Sequence, residues 1–185
     1  PPVNVLDTAA LTEMEKALAT CAADDNLSAV LLYGEGKCFS AGASVADHKP
    51  GQAEAMITSL TRCCCALASL PVPSVSLIHG SCLGGGLELA IFADFLVADP
   101  GATFGVPEIR LAFFPPLAAC RLPRLAGYQN AAHLALTGET VSAEEDPCMG
   151  ASGGTISMIG VWSGDEEGTF KSIVQPFLDD CNFTL

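Results

Sequence analysis

The stretch His79-Gly80-Ser81-Cys82-Leu83-Gly84-Gly85-Gly86-Leu87-Glu88-Leu89-Ala90 decides the fold. A short apolar strand is read just before it, over Ser74 to Ile78. The three glycines then open directly into an apolar helix that runs on to Ile91. The first turn of a helix leaves its N–H groups without internal partners, and glycine lets a ligand approach them closely. Such a start attracts negative charge. Glu88 stands between Leu87 and Leu89, so a helix that buries its apolar face buries this carboxylate too. That costs several kcal/mol unless the group is protonated or paired. On pattern alone, a solvated helix face accommodates Glu88 equally well.

Outward from this segment, short strands alternate with helices. Asp7 or Thr8 caps a helix whose apolar positions Leu11, Met14, Leu18 and Cys21 recur at helical spacing. Ser28 to Tyr33 reads as a short buried strand, Gly34-Glu35-Gly36 as its turn, and Ser40-Ala41-Gly42-Ala43-Ser44 as a tight loop. Met56, Leu60, Cys64 and Leu67 mark a second amphipathic helix over Gln52 to Ser69, closed by Pro71 and Pro73. Downstream, Phe95 to Ala98 and Ala102 to Phe104 read as strands. Pro107-Glu108-Ile109 leads into a proline-rich loop at Pro115-Pro116, and Tyr128 to Leu136 reads as a helix stopped by Gly138. This alternation is that of an α/β domain.

The tail fits less well. Ser142 and Glu145 have capping-box spacing, but Pro147 falls inside the helix they announce, and no sustained periodicity returns before Phe170 to Leu178. The domain reading is therefore a core over 1–140 and a divergent segment over 141–185 that belongs to the same domain or to an assembly surface.

Composition narrows the function. A chain of 185 residues, half of them apolar, fits one domain with a real core. The longest nearly uncharged stretch, Val72 to Ala93, contains Pro73, His79, four glycines and Glu88, and is no membrane span. A net charge of -13 argues against nucleic acid or an anionic membrane as partner. The nine cysteines lie in apolar segments without metal-finger spacing, which points to reduced core thiols in a cytoplasmic protein. Cys63, Cys64 and Cys65 would diverge by about 100° on a helix, so they are expected to pack and not to hold zinc; no metal site is expected. A Rossmann site would require a last glycine at the right spacing after Gly84-Gly85-Gly86, and a phosphate-binding loop a glycine at the required position upstream of Gly36-Lys37, which is instead followed by Cys38; neither glycine is present.

Three segments carry a resemblance. Gly36-Lys37-Cys38-Phe39-Ser40-Ala41-Gly42-Ala43, the stretch His79 to Ala90, and Phe104-Gly105-Val106-Pro107-Glu108-Ile109 resemble, in order, the signature segments of the enoyl-CoA hydratase/isomerase (crotonase) family. The likeness runs from about Pro2 to Glu145. It implies a crotonase-like spiral of repeated ββα units whose first strands are missing and whose C-terminal helical part is atypical. It also implies an oxyanion hole made by the Ala41 and Gly85 N–H groups, and catalytic acids at Glu88 and Glu108. Ser40, Gly42, Ala43, Ser44, Gly84, Pro107 and Phe114 would contact substrate, with His48 a further candidate; His79 and His133 read as structural. The implied reaction adds water to a 2-enoyl-CoA, coenzyme A being part of the substrate and no separate cofactor being needed. Isomerisation, another acyl-CoA reaction, or acyl-CoA binding without turnover are the alternatives. Relatives are commonly trimers or dimers of trimers. A finer likeness, in Ala43 to Pro50 and in Phe113-Phe114-Pro115-Pro116-Leu117-Ala118, is to hydratases of cyclic dienoyl-CoA thioesters, for which Phe113, Phe114 and Leu117 would line the acyl pocket.

Overall fold

Asp7 starts the first helix as expected: its carboxylate accepts from the Ala10 N–H at 2.8 Å, and α1 follows over Thr8–Ala22. The structure is a computed structural model that describes residues 3–48, 51, 53–143, 154–155, 175 and 183–184. The chain divides into two units, Pro1–Ser142 and Ala143–Leu185.

In the first unit, β1 (Val5–Leu6) precedes α1. β2 (Val30–Tyr33), β3 (Gly42–Ala43), a 3-10 turn at Val45–His48 and α2 (Ala53–Ala68) come next. Then follow β4 (Ser74–Ile78), β5 (Ser81–Leu83), α3 (Gly85–Ala90), β6 (Phe95–Ala98), β7 (Thr103–Gly105) and a second 3-10 turn at Pro107–Leu111. The unit closes with α4 (Pro116–Leu125), α5 (Tyr128–Thr137) and β8 (Thr140–Ser142).

β2, β4 and β6 form one parallel sheet with β4 central. β5 pairs parallel with β7, and β8 adds antiparallel to β7. The chain thus lays one strand in each sheet and then turns into a helix. It does so through β4, β5 and α3, and again through β6, β7 and the second 3-10 turn. This is the spiral of ββα units that the resemblance implies. A parallel β1–β3 pair and an isolated bridge from Ser40 to Cys82 tie the Ser40 bend to the second sheet.

The core lies where α1 and α2 meet α3. Leu11, Leu18, Met56, Leu60, Cys63, Cys64, Leu67 and Leu89 are all buried there, each large apolar side chain contributing about 2 kcal/mol by leaving water. Cys63 and Cys64 are packed as expected, but Cys65 is exposed, because three consecutive helical positions cannot share one buried face.

Two expectations change. β2 is an edge strand and not a buried one: Leu31 is 39% and Tyr33 68% exposed, because an apolar run does not distinguish a strand packed on one face from one packed on both. The segment after Pro115 is no loop but α4, with Pro116 at its first position, where a missing N–H costs nothing, and Pro123 inside it. Ser142 ends β8. The capping-box spacing of Ser142 and Glu145 beyond Ala143, and the Phe170 to Leu178 pattern apart from Gln175, lie outside the described residues. In the second unit β9 (Gly154–Thr155) pairs in parallel with β10 (Phe183–Thr184). No helix among the described residues is long and apolar enough to cross a membrane.

Candidate active site

α3 is short, six residues, and every one of them is buried. Gly84 precedes it at φ 51°, a backbone that an L side chain rarely adopts, and donates its N–H to the Gly105 carbonyl at 2.9 Å. The first backbone bond of the helix runs from the Glu88 N–H to the Gly84 carbonyl. The Gly85 and Gly86 N–H groups therefore find no acceptor among the described residues.

Glu88 is 3% exposed. Its Oε1 accepts from the N–H groups of Leu117 at 2.8 Å and Ala118 at 2.9 Å, the free donors of the first turn of α4. Burial raises its pKa, and the Ala118 and Leu117 N–H groups work against that rise by favouring the carboxylate. The rest of α3 is anchored around it. Ser76 Oγ donates to the Ala90 carbonyl at 3.1 Å, the Cys64 thiol lies 3.8 Å from the Glu88 carbonyl, and Arg121 Nε donates to the Ile91 carbonyl.

Glu108 reaches the same place from the second 3-10 turn, whose entry Pro107 fixes. A Cβ on Gly84 would stand 2.6 Å from Glu108 Oε1, so the absence of a side chain at Gly84 is what lets this carboxyl approach the start of α3. Glu108 Oε2 is buried and has no hydrogen-bond partner among the described residues. Burial lifts the Glu108 pKa to about 7; its own backbone N–H lowers it, and the nearby Glu88 charge raises it further. The two carboxyls therefore feel one another beside Gly84.

The Ser40 bend packs against the start of α3, where a Cβ on Gly86 would stand 2.6 Å from Ser40 Cβ. Asn4, at φ 45°, donates its side-chain amide to the carbonyls of Glu35 at 2.7 Å, Cys38 at 2.8 Å and Phe39 at 3.2 Å. The buried Ser40 hydroxyl donates to the Asn4 carbonyl at 2.7 Å and accepts from the Gly42 N–H at 3.1 Å. Here the second expected donor is corrected. The Ala41 N–H donates to the Val3 carbonyl at 2.8 Å, so it is already committed. Gly42, at φ 103°, then turns the chain. Successive N–H groups of a strand point to opposite sides, and that of Ser44 donates to the Leu6 carbonyl at 3.0 Å. The Ala43 N–H is thereby turned away from β1, toward Gly85: a Cβ on Gly85 would lie 3.2 Å from Ala43 N and 3.1 Å from its Cβ.

The structure thus brings Ser40, Gly42, Ala43, Gly84, Gly85, Glu88, Pro107 and Glu108 into one neighbourhood. Phe114 stands apart at 67% exposed, while Leu117 packs against the core and supplies a backbone donor. His48 ends the first 3-10 turn, and its side chain lies outside the described residues. His79 Nε2 donates to the Gly36 carbonyl at 3.1 Å, and His133 lies exposed, 3.0 Å from Glu139. Among the described residues no group of His, Cys, Asp and Glu side chains gathers to hold a metal ion. Missed from sequence were the Leu117 and Ala118 amides; the available signal was Pro116, which marks a helix start and hence a set of free N–H donors.

A spiral of ββα units with a glycine-started helix, one buried acid and a second, half-buried one defines a class, and the chain belongs to the enoyl-CoA hydratase/isomerase family, whose profile matches residues 1–152. Its similarity to a cyclohexa-1,5-dienecarbonyl-CoA hydratase of Thauera aromatica is 40% identity over 167 residues, 90% of this chain and 62% of the relative. A probable enoyl-CoA hydratase of Bacillus subtilis is 34% identical over 78% of this chain and 58% of its own. A crystal structure of enoyl-CoA hydratase from Bacillus anthracis aligns with a TM-score of 0.74 at 33% identity, covering 78% of this chain and 58% of that one. The chain spans about three fifths of the length of these curated relatives.

Proposed function

We propose that this chain adds water across the double bond of a 2-enoyl-CoA thioester. The observation that carries the reading is the buried Glu88 carboxyl with the half-buried Glu108 carboxyl electrostatically coupled to it, Glu108 lying against Gly84 and Ala43 N lying close to Gly85 at the start of the same helix. The thioester carbonyl oxygen sits between the Gly85 and Ala43 N–H groups, which stabilise it as negative charge develops there. Glu88, whose two amide partners favour the ionised form, takes a proton from water as its oxygen bonds to the β-carbon. Glu108, held protonated up to about neutral pH by its burial, gives its proton to the α-carbon, and the enolate electrons return to form that C–H bond. Both carboxyls then exchange protons with solvent to complete the cycle.

The acyl group in this proposal is a cyclic dienoyl thioester, an assignment supported by the likeness to the Thauera aromatica hydratase. The proposed assembly is a homotrimer or a dimer of trimers, which light scattering after size exclusion tests. The reaction is tested by incubating crotonyl-CoA and a cyclic dienoyl-CoA in 18O-labelled water and analysing the product. A hydratase places one solvent oxygen in a 3-hydroxyacyl product. Double-bond migration without incorporation would make the chain an isomerase, and binding of both thioesters with no product would leave it a binder.

A further inference from the structure

We infer that Arg121 is a positioning residue: from α4 it grips the C-terminal end of α3 and so keeps the Leu117 and Ala118 amides on the Glu88 carboxylate. This rests on the proposed role of Glu88 as the base, but its geometry is separate from that role. Arg121 Nε donates to the carbonyl of Ile91, the residue that caps α3, and its guanidinium stacks on the ring of Phe92, 4.8 Å from the centroid. Leu117 and Arg121 are four residues apart on α4 and lie one above the other on the same face. One face of α4 therefore holds α3 at two points, by amides at its acidic side chain and by a guanidinium at its C-terminal carbonyl. A planar, half-buried fork that both stacks and donates suits this task better than a flexible ammonium.

A six-residue helix cannot fix its own position by intrahelical bonds alone. If Arg121 is removed, α4 is free to shift at its first turn, and the carboxylate loses part of the two N–H bonds that favour its charged form. The ionisable groups coupled to Glu88 are the Cys64 thiol from α2 and Glu108 from the second 3-10 turn, while Arg121 from α4 reaches the end of α3 at Ile91 and Phe92. Beyond the end of α3, the Asp94 carboxyl is held low first by the Ser74 N–H and hydroxyl, and then by the Arg121 charge. Burial pushes the Cys64 thiol well above its ordinary range, so it stays neutral across the working pH. The influences on Glu88 are burial first, which raises its pKa, and then the Ala118 and Leu117 amides, which lower it, and Arg121 acts on it by holding those amides in place.

The test is a titration of the Glu88 carboxyl by 13C NMR in the full chain, its signal assigned by its loss in Glu88→Gln. The parent is compared with Arg121→Met, which keeps the stem over Phe92, and with Arg121→Lys, which keeps the charge but not the fork. Hydration rate against pH is measured in parallel. Glu88 should titrate at higher pH in Arg121→Met and in between in Arg121→Lys. The acid limb of kcat should move the same way, with kcat about tenfold lower near neutrality and KM within about twofold. A merely structural loss would lower the melting temperature without moving the carboxyl titration of the folded form. Parent-like titration in both variants overturns the inference; if Arg121→Met does not fold, parent-like titration in Arg121→Lys alone overturns it. A shifted titration in a chain that turns over no thioester supports the role of Arg121 and removes the hydratase reading instead.

Discussion

Glu108→Gln should stabilise the protein while abolishing its turnover, and the stabilisation should itself depend on pH. The Glu108 carboxyl titrates at about 7 in the folded chain against an ordinary 4.5, chiefly because burial penalises its charge. Between those two values the folded state holds a proton that the unfolded chain has released. Stability of the parent therefore falls as pH rises through this window and is level above it. At about 1.4 kcal/mol per pH unit the full difference is about 3 kcal/mol, and solvent access to part of the side chain reduces it to about 1–3 kcal/mol. Glutamine has nearly the same shape and does not titrate, so it avoids this penalty. Urea unfolding of parent and variant from about pH 4 to about pH 8 provides the assay, with midpoints compared at constant m-value. The two should agree at the acid end, diverge through the window and run parallel above it, the variant being the more stable. A difference that is the same at every pH, or a variant that is weaker at the alkaline end, would refute the burial argument for Glu108.

Glu88→Gln should lower kcat by about a hundredfold or more, with thioester affinity from calorimetry within about twofold, since the loss is in proton transfer. Gly84→Ala places a Cβ 2.6 Å from Glu108 Oε1 at φ 51°; it should cost about 1–2 kcal/mol in backbone strain and lower kcat by displacing that carboxyl, as read by urea unfolding and steady-state rates. Asn4→Ala removes the donor to the Glu35, Cys38 and Phe39 carbonyls and should cost about 2 kcal/mol of stability while weakening activity through the Ser40 bend. Asp7→Ala, far along the chain from either acid, removes one helix cap and should cost about 1 kcal/mol in the same unfolding assay with kcat unchanged.

Local order was legible in the residues themselves. The Asp7 cap, the Leu11–Leu18 and Met56–Leu67 spacings, the strand at Ser74–Ile78 and the glycine start of α3 follow from periodicity and backbone freedom, which act over one or two turns of chain. The chemical character of the site was legible only through the resemblance of three segments to the family's signatures, since Glu88 and Glu108 taken singly are each compatible with an ordinary structural role. What periodicity left open at Glu88, burial or a solvated face, only packing decided: its 3% exposure is tolerated because two amides of α4 meet it from 29 and 30 residues away. α4 itself hid behind Pro115-Pro116, since proline marks both loops and helix starts, and only the tertiary contact with Glu88 shows what that start is for. The proposed choice of Ala43 over Ala41 as the donor beside Gly85 likewise rests on strand pairing. Which way an N–H points depends on the partner strand, and no local pattern of small residues encodes it.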